Sequence, residues 1–508
     1  MKKLIDDFRK LLDVNAPIIF IHDFDFARVD DFISKALGDA RIIEWNPATG
    51  TTNFHNKEAK GYEFEDLETF LLEKYKDENF IGDRYLVLKE IQDYFDSPRV
   101  KALFQLIAQR KLYDREYSTT IIIVSSIDRI PEEVKRYVSY LEIEYPSDSE
   151  IDSLIHQHIE INKAKFDENN KDKLMLSLKG MSKYEIDRVL DMAMSSNGTL
   201  GAEDTGMILK QKKQMVKKSG VVELIDSPEK LDSIGGLDAL KTYLQQKARV
   251  FKDWSNAKRF GVTLPKGVFI VGMPGCGKSL CAKATANIFE APLLKLDMGS
   301  MMGKYVGQSE ENLRNAIKIA EAAAPCVLWI DEIEKAFSGV GGNNDIMTRM
   351  FGYFLSWMQE KKSNVYVIAT ANNADNLPPE LKRKGRFDEI YCVNLPNQAE
   401  REAIFKVHLE KKLGYKCLSQ AEYKSISMSS LSACTDGFNG ADIESVVNET
   451  VERCFLADKQ CTLSTQSLVE TAKLTISISK SCAKQIADMK NVFKASSFKD
   501  ATTGKMSN

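Results

Sequence analysis

The stretch from Gly272 to Ser279, GMPGCGKS, constrains the fold of this chain more than any other part of the sequence. An apolar run, GVFIVG, leads into it, and a stretch with helical spacing, LCAKATANIF, follows it. A buried strand, a glycine-rich turn and a helix N-terminus in this order place consecutive backbone N–H groups around a phosphate. Lys278 would reach the β and γ phosphates of a nucleotide, and the Ser279 hydroxyl would bind Mg²⁺. The complete pattern predicts a phosphate loop that binds a nucleoside triphosphate and disfavours a plain glycine-rich turn.

The composition is that of a globular protein and does not indicate binding to nucleic acid or to membranes. The 508 residues carry a formal net charge of -3, and 43% of them are hydrophobic. No apolar stretch approaches the ~18 residues that span a bilayer. The first residues, MKKLIDDFRKLLDV, contain too many acidic side chains for a targeting signal and predict an amphipathic helix. We expect a cytoplasmic protein without membrane partners.

The nine cysteines include no CxxC pair, which argues against a disulfide framework and against a zinc site. Cys276 lies inside the glycine-rich loop. It is either a small residue that fills its position or a thiol whose pKa is lowered by the helix N-terminus, with the first alternative favoured.

The predicted strands and helices follow the same order twice along the chain. In the first copy the predicted strands are PIIFIH (17–22), RIIEW (41–45), YLVLKE (85–90) and TTIIIVSS (119–126). In the second copy they are GVFIVG (267–272), PLLKLD (292–297), CVLWIDE (326–332) and VYVIATAN (365–372). A Pro-Glu turn and a later helix with similar sequences also follow in both copies. We therefore predict a duplicated α/β module, each copy a parallel sheet covered by helices.

The first copy lacks the residues that nucleotide chemistry needs. Its first strand is followed by DFDFARVDDF, which has no glycine and places aspartates where a phosphate would bind. It has Lys89 and Glu90 where the second copy has Asp331 and Glu332. Residues 1–200 are therefore predicted to form a degenerate, non-hydrolysing module.

Two predicted strands of the second copy end in polar residues suited to phosphoryl transfer. Asp331 and Glu332 end one strand, and Asn372 ends the next. Asp331 can hold Mg²⁺, while Glu332 can polarise a water for attack on the γ phosphate and Asn372 can orient that water. This combination indicates an ATPase more specifically than the glycine-rich loop alone.

Arg383 and Arg386 follow beside a glycine in LKRKGRFDE. Guanidinium groups can stabilise the charge of a transferring phosphoryl group, and a neighbouring subunit can supply them. Alternatively, the two arginines form surface ion pairs with Asp388 or Glu389.

Residues 201–230 are predicted to be a linker that contains a cluster of lysines: Lys210, Lys212, Lys213, Lys217 and Lys218. The cluster is short and has no interleaved aromatic residues, so a solvated helix face is favoured over a nucleic-acid contact.

Residues from about 226 to 470 resemble the AAA family of ring-forming ATPases. The motifs that carry the resemblance follow in order: LDSIGGLDALK, GMPGCGKS, KYVG, LWIDEIE, ATANN, KGRFD and GFNGAD. The overall plan is similar to that of uncharacterised AAA proteins encoded in chloroplast genomes and by cyanobacteria and other bacteria. The resemblance implies a P-loop NTPase AAA module of the α/β class, a parallel sheet flanked by helices with a small helical lid, after a degenerate AAA-like α/β module.

The resemblance also implies domain boundaries and ligands. The expected domains are the degenerate module at 1–200, the linker at 201–230, the large α/β ATPase subdomain at 231–396, the helical lid at 397–465 and a helical segment with a tail at 466–508. The expected ligands are ATP and Mg²⁺.

Roles for individual residues follow from the same resemblance. The residues expected to bind the nucleotide are Ile234, Gly235, Pro274, Gly275, Cys276, Gly277, Lys278, Ser279, Leu280, His408, Gly440 and Ala441. Ser279 and Asp331 would hold the metal, and Glu332 and Asn372 would act in catalysis. Arg383 and Arg386 would act as arginine fingers for a neighbouring subunit. Lys304, Tyr305 and Val306 would form a loop in a central pore, where the Tyr305 ring grips a polypeptide.

The function favoured by these features is a ring motor, a hexamer of this chain, that hydrolyses ATP at its subunit interfaces and remodels or unfolds a protein partner. Residues 1–200 would bind the substrate or an adaptor. Two alternatives stay open. The first is a slow nucleotide-dependent regulatory switch that binds a partner without threading a polypeptide. The second is a nucleic-acid remodelling ATPase, which only the lysine cluster supports. No HEXXH motif is present, so a membrane AAA protease is not expected.

Overall fold

The computed structural model describes residues 2–506 except 24, 59–65, 78–83, 115, 128, 144, 167–170, 198, 202–203, 205, 209, 213, 215–220, 227–228, 297–307, 337–344, 374–377, 384, 458–461 and 496–497. The chain divides into two compact units. The first contains Met1–Lys165 and Met181–Thr199, and the second contains Phe166–Gly180 and Leu200–Asn508. Among the described helices, none is long and apolar enough to cross a membrane.

The first unit is built on a six-stranded sheet. Its strands are β1 (Ile18–His22), β2 (Ile42–Asn46), β3 (Gly50–Asn53), β4 (Arg84–Lys89), β5 (Thr119–Ser125) and β6 (Val138–Leu141). Their order across the sheet is β3-β2-β4-β5-β1-β6, and only β3 pairs antiparallel. Two short strands, β7 (Lys165–Phe166) and β8 (Thr199–Leu200), follow along the chain.

Helices cover both faces of this sheet because its strands are apolar on both sides. Phe20 and Ile121 pack with Phe104 on one face, while Ile19 and Ile122 belong to a separate core on the other. The helices of the first unit are Lys2–Asp13, Phe26–Leu37, Leu67–Lys76, Pro98–Tyr113, Glu132–Lys135, Asp148–Asn162 and Lys183–Asn197, with a 3₁₀ turn at Gln92–Asp96.

The second unit is built on a seven-stranded sheet. Its strands are β9 (Val222–Ile225), β10 (Gly267–Gly272), β11 (Leu293–Leu296), β12 (Cys326–Ile330), β13 (Val365–Ala371), β14 (Glu389–Val393) and β15 (Lys499–Asp500). The order is β15-β14-β10-β13-β12-β11-β9, and β9 alone pairs antiparallel.

The helices of the second unit form two groups. The first group accompanies the sheet: Lys171–Leu178, Asp238–Lys252, Trp254–Arg259, Lys278–Phe289, Gln308–Ala322, Ile333–Ala336, Asp345–Glu360, Ile478–Ser481 and Ala483–Ala495, with 3₁₀ turns at Leu231–Ser233 and Pro379–Lys382. The second group has a core of its own, centred on Phe405, Leu431 and Ile443. This lid group consists of Gln398–Glu410, Gln420–Ser425, Met428–Cys434, Gly440–Ala457 and Thr465–Leu474.

The two sheets share one strand order, which confirms the predicted pair of α/β modules. In the first unit the strands β2-β4-β5-β1-β6 lie side by side, and in the second unit the strands β11-β12-β13-β10-β14 do. Counted along each parallel set, both orders are 2-3-4-1-5. A parallel sheet with helices on both faces and a lid of helices is the fold that the sequence predicted.

The first unit has a carboxylate where the second has its glycine-rich loop. Only residues 23–25 separate β1 from the next helix, whereas residues 273–277 separate β10 from its helix. Asp25 is 6% exposed and accepts hydrogen bonds from the backbone N–H of Arg28 at 3.1 Å and of Tyr184 at 3.1 Å. These bonds use the helix N-terminus that would otherwise bind an anion. The geometry fits the prediction of a module without a phosphate site.

The range 201–230 differs from the expected linker. Strand β9 lies within it and closes one edge of the second sheet, because Val222 and Leu224 are apolar and pack into the core. Lys212, expected on a solvated helix face, is only 2% exposed. The polar composition of the range therefore did not indicate this strand or the burial of Lys212. The domain boundaries stay a prediction.

Candidate active site

The glycine-rich loop has the backbone shape that its sequence predicts. Gly275 and Gly277 adopt left-handed conformations with φ of +74° and +85°. Gly277 precedes the helix Lys278–Phe289, whose first N–H groups have no intrahelical partner. The loop therefore offers backbone donors and the positive end of a helix dipole to an anion.

A cavity of about 370 Å³ opens over this loop in the second unit. Its lining includes all twelve residues predicted to bind the nucleotide: Ile234, Gly235, Pro274, Gly275, Cys276, Gly277, Lys278, Ser279, Leu280, His408, Gly440 and Ala441. Asp331, Glu332 and Asn372 line it as well. The structure thus brings together residues that are up to about two hundred positions apart in the sequence.

Burial shifts the pKa of two side chains in the loop. The Lys278 ammonium donates to the carbonyl oxygens of Gly272 at 2.7 Å and Met273 at 2.8 Å, and burial lowers its pKa while nearby acidic groups oppose the shift. Burial raises the pKa of the Cys276 thiol to about 11, so the thiol rather than the thiolate is favoured. This direction is opposite to the one that a redox-active cysteine would need.

The carboxylates that follow β12 are held by the neighbouring strand. Thr370 donates its hydroxyl to Asp331 Oδ1 at 2.6 Å, and Asn372 donates its amide to Glu332 Oε1 at 2.9 Å. Lys335 lies 2.6 Å from the other oxygen of Glu332. Glu332 has a φ of +50°, an uncommon conformation that turns its side chain away from the strand direction. Both carboxylates therefore lie at the edge of the cavity next to the loop.

Glu334 is a third carboxylate near Glu332, although it does not line the cavity, and no sequence pattern predicted it. It is 6% exposed, and its Oε1 accepts the backbone N–H of Asn372 at 2.8 Å. Its Oε2 has no hydrogen-bond partner among the described residues. Burial raises the pKa of Glu334, and the neighbouring Glu332 adds to the shift. The position three residues after Asp331 on a short helix gave no periodic signal that could have identified it.

The donors around the cavity fit a magnesium nucleotide. The Asp331 carboxylate and the Ser279 hydroxyl are hard oxygen ligands that line one cavity. No group of three or more His, Cys, Asp and Glu residues in the described ranges could hold a metal ion alone. A metal here would therefore take part of its ligands from phosphate oxygens and water, which is the usual arrangement of Mg²⁺.

The opposite wall of the cavity is apolar and closely packed. A Cβ added to Gly235 would lie 2.6 Å from Ile404 Cγ1, so this position requires glycine. His408 lies on the same helix as Ile404, with Nδ1 4.0 Å from Glu444 Oε1. Burial lowers the pKa of His408, which favours the neutral imidazole. Apolar and neutral groups suit a nucleotide base.

The lid contacts the loop directly. Asn439 donates its side-chain amide to the Pro274 carbonyl at 2.8 Å, and the Ala441 N–H donates to the Gly275 carbonyl at 3.2 Å. Asn439 also accepts the N–H of Asp442 at 2.7 Å, which is an N-cap contact. Its place before a predicted helix indicates an N-cap residue, whereas its contact with Pro274 has no local sequence signal.

Arg383 and Arg386 do not line the cavity. Arg383 is exposed and Arg386 is half-buried, where it donates to the Glu380 carbonyl. Among the described residues, neither forms an ion pair: Asp388 instead lies near Lys247, and Glu389 near Lys499. The alternative of surface ion pairs with Asp388 or Glu389 therefore has no support here. Lys304, Tyr305 and Val306 lie outside the described residues.

Three parts of the chain match known protein families. Residues 268–395 match the ATPase family associated with various cellular activities, AAA. Residues 4–143 match the N-terminal domain of SpoVK-like AAA ATPases, and residues 149–219 match the second domain of the same group.

Relatives match over nearly the whole chain. The uncharacterized AAA domain-containing protein ycf46 of Guillardia theta is 34% identical over 499 residues, which covers 96% of this chain and 94% of that relative. The protein of the same name from Pyropia yezoensis is 33% identical and covers 89% of this chain and 90% of the relative. The ATP-dependent zinc metalloprotease FtsH of Cyanidium caldarium is 34% identical over 241 residues, which are 46% of this chain and 37% of the relative. ATPase activity is a property of the shared family, and this chain belongs to the AAA family of ATPases.

Proposed function

We propose that this protein hydrolyses ATP at the subunit interfaces of a ring of identical chains and uses the cycle to remodel or unfold a protein partner. The observation that carries the proposal is the single cavity in which Lys278, Asp331, Glu332 and Asn372 converge. Each of these side chains has the chemistry that one task in phosphoryl transfer requires. The cytoplasm or a plastid stroma is the proposed location.

Each residue has a separate task in this proposal. Lys278 exchanges its two carbonyl partners for phosphate oxygens, and the loop N–H groups hold the same phosphates. Glu332 accepts a proton from the attacking water, and Asn372, already 2.9 Å from Glu332, keeps that carboxylate and the water in line. Ser279 and Asp331 would hold Mg²⁺, which would supply positive charge to the phosphates. Closure of the lid through Asn439 excludes bulk water.

A neighbouring chain would complete the site. AAA proteins usually assemble as hexamers, and Arg383 is exposed and without an ion-pair partner in the described part of the chain. A guanidinium brought against the γ phosphate can stabilise the transferring group by a large factor, of order 10³ or more. The proposed ring therefore couples each hydrolysis event to the arrangement of two chains.

The catalytic assignment is tested by Glu332→Gln. We expect ATP still to bind and steady-state phosphate release to fall by a factor of about 10² or more, since Gln cannot accept the proton. Glu290→Gln, at an exposed position of the same unit, is the matched control and should keep wild-type turnover. Wild-type turnover in Glu332→Gln would refute the assignment.

The subunit-interface assignment is tested by mixing two inactive variants. Arg383→Ala/Arg386→Ala provides intact loops without fingers, and Lys278→Ala provides fingers without a functional loop. If the arginines act on a neighbour, mixed rings regain part of the ATPase activity that each variant lacks alone. Absence of recovery, in mixtures whose co-assembly is verified by co-purification of differently tagged chains, would contradict hydrolysis between subunits.

The partner and the mode of action are tested separately. Glu332→Gln in the presence of ATP should retain partners that residues 1–200 bind, and these can be identified by mass spectrometry. Tyr305→Ala should keep ATP turnover but lose remodelling of a retained partner. Unchanged remodelling would instead favour the regulatory switch, and stimulation of turnover by single-stranded nucleic acid at low salt would favour nucleic-acid remodelling.

A further inference from the structure

Residues 499–506, termed the edge segment, lie within the second unit and pack beside its cavity. Strand β15 extends the sheet next to β14, and the Ala501 N–H donates to the Cys392 carbonyl at 2.9 Å. The Ala501 carbonyl accepts the N–H of Leu240 at 3.0 Å, in the first turn of helix Asp238–Lys252. Ala501 is 1% exposed. The edge segment thus satisfies an N–H group that the helix itself leaves without a partner.

Asp500 fixes the turn of the edge segment and links it to the cavity. Its Oδ1 accepts the N–H of Thr502 at 3.1 Å and of Thr503 at 2.8 Å. Its Oδ2 accepts the side-chain amide of Asn394 at 2.8 Å, and Asn394 lines the cavity. The position of the Thr502 side chain is therefore set by several bonds.

Glu400 joins the edge segment to the apolar wall of the cavity. Its Oε1 accepts the Thr502 hydroxyl at 2.6 Å and the Leu237 N–H at 3.2 Å, while Oε2 accepts the Asn397 N–H at 2.9 Å. Glu400 is 9% exposed, so these bonds replace water. The stability of a buried carboxylate depends on each of its hydrogen-bond donors, because loss of one donor leaves part of the negative charge without a partner or solvent.

The backbone of the apolar wall has an uncommon conformation, which the hydrogen bond from Leu237 to Glu400 stabilises. Gly236 and Leu237 have left-handed φ values of +75° and +59°, and a leucine rarely adopts such a conformation. A Cβ on Gly236 would lie 2.7 Å from Glu400, so glycine is what allows the close approach. Leu237 lines the cavity together with Ile234.

We propose that Thr502 and Glu400 are positioning residues that fix the base-side wall of the nucleotide cavity, so that the edge segment sets the affinity for the base of the nucleotide. The inference rests on the proposed nucleotide site. Thr502 acts through Glu400 on Leu237, whereas Lys278 and the loop are held by other contacts. Loss of the Thr502 hydroxyl therefore weakens binding of ligands that carry a base and leaves binding of a bare polyphosphate intact.

The test compares ADP with inorganic tripolyphosphate by isothermal titration calorimetry. For Thr502→Val we expect the Kd for ADP to rise by on the order of fivefold, as one bond to a buried carboxylate is lost. The Kd for tripolyphosphate should equal that of the wild type. Thr502→Ser keeps the hydroxyl and should restore ADP binding. Thr263→Val, at an exposed threonine of the same unit outside the edge segment, is the control for ADP.

Kinetics provide a second readout. Thr502→Val should raise the KM for ATP and leave kcat at saturating ATP unchanged, and a chain that ends at Phe498 should show a larger loss of ADP affinity with tripolyphosphate binding retained. Unchanged ADP affinity in Thr502→Val, or equal weakening of ADP and tripolyphosphate, would overturn the proposal. A wild-type protein that binds neither ligand would instead overturn the proposed function on which it rests.

Discussion

Replacement of Gly275 by alanine tests whether the lid is docked on the glycine-rich loop. The added Cβ would lie 2.5 Å from Asn439 Nδ2 and 2.9 Å from Ala441 Cβ, both in the lid. Gly277 offers a matched control, because it has a similar φ of +85° but nothing closer to an added Cβ than 3.9 Å. Gly277→Ala therefore introduces the backbone strain alone, and Gly275→Ala introduces the same strain and a collision with the lid.

The free energy of lid docking should differ by about 2 kcal/mol between the two variants. A left-handed alanine costs roughly 1–2 kcal/mol in either variant. In Gly275→Ala the collision with the lid adds about 1–3 kcal/mol if the lid stays in place. If the lid moves away instead, the bond from Asn439 to Pro274, worth about 1 kcal/mol, is lost together with other lid contacts. A difference of about 2 kcal/mol corresponds to a roughly 30-fold shift in the ratio of docked to undocked lid.

Hydrogen exchange of the Ala441 amide measures this ratio, because its N–H donates to the Gly275 carbonyl. We expect exchange at Ala441 to be much faster in Gly275→Ala than in the wild type, and close to wild type in Gly277→Ala. Denaturant unfolding followed by tryptophan fluorescence gives the strain common to both variants, since Trp254, Trp329 and Trp357 lie in the second unit. Equal exchange at Ala441 in both variants would show that the lid does not contact the loop in solution.

Two further predictions concern pH and the first unit. Burial lowers the folded-state pKa of His408 below 6.5, so its contribution to stability is complete above pH 6.5 and is lost as the pH falls through the lowered pKa. The free energy of unfolding should therefore decline below pH 6.5 and do so less in His408→Gln, while exposed His156→Gln should decline like the wild type. In the first unit, Asp25→Ala removes an N-cap bond and the bond to Tyr184, and should lower stability by about 2 kcal/mol in unfolding monitored at Trp45. Asp31→Ala, which removes only an exposed ion pair with Lys35, should have an effect below about 1 kcal/mol.

The parts of the fold that the sequence predicts are those with local signals. Buried parallel strands such as β5 and β13 are continuous apolar runs, and the loop between β10 and its helix has a fixed pattern of glycines. Strands β9 and β15 were not predicted. They have four and two residues, and their place at the sheet edges depends on neighbours rather than on their own sequence.

The site shows the same division. Asp331, Glu332 and Asn372 follow strands directly, so their convergence at one sheet edge follows from the fold class. From the lid, Asn439 reaches the glycine-rich loop and Glu400 reaches the cavity wall, 165 and 163 positions from the groups that they contact. Their roles depend on how the lid packs, and a single sequence holds no signal for that packing. Likewise, Thr370 donates to the Asp331 side chain and Glu334 accepts the backbone N–H of Asn372, each from a neighbouring element.

Comparison of the two units explains how the first unit can keep the same sheet as the second without its phosphate-binding loop. In the second unit the lid N–H of Ala441 meets a carbonyl of the glycine-rich loop, and the helix N-terminus stays available for phosphate. In the first unit the N–H of Tyr184, which like Ala441 is the second residue of its helix, donates to the Asp25 carboxylate, and Asp25 also caps helix Phe26–Leu37. A carboxylate of the chain therefore satisfies the donors that would otherwise bind an anion. The donors of this unit are thus satisfied without a bound ligand, which is compatible with the proposed role of residues 1–200 in binding a partner.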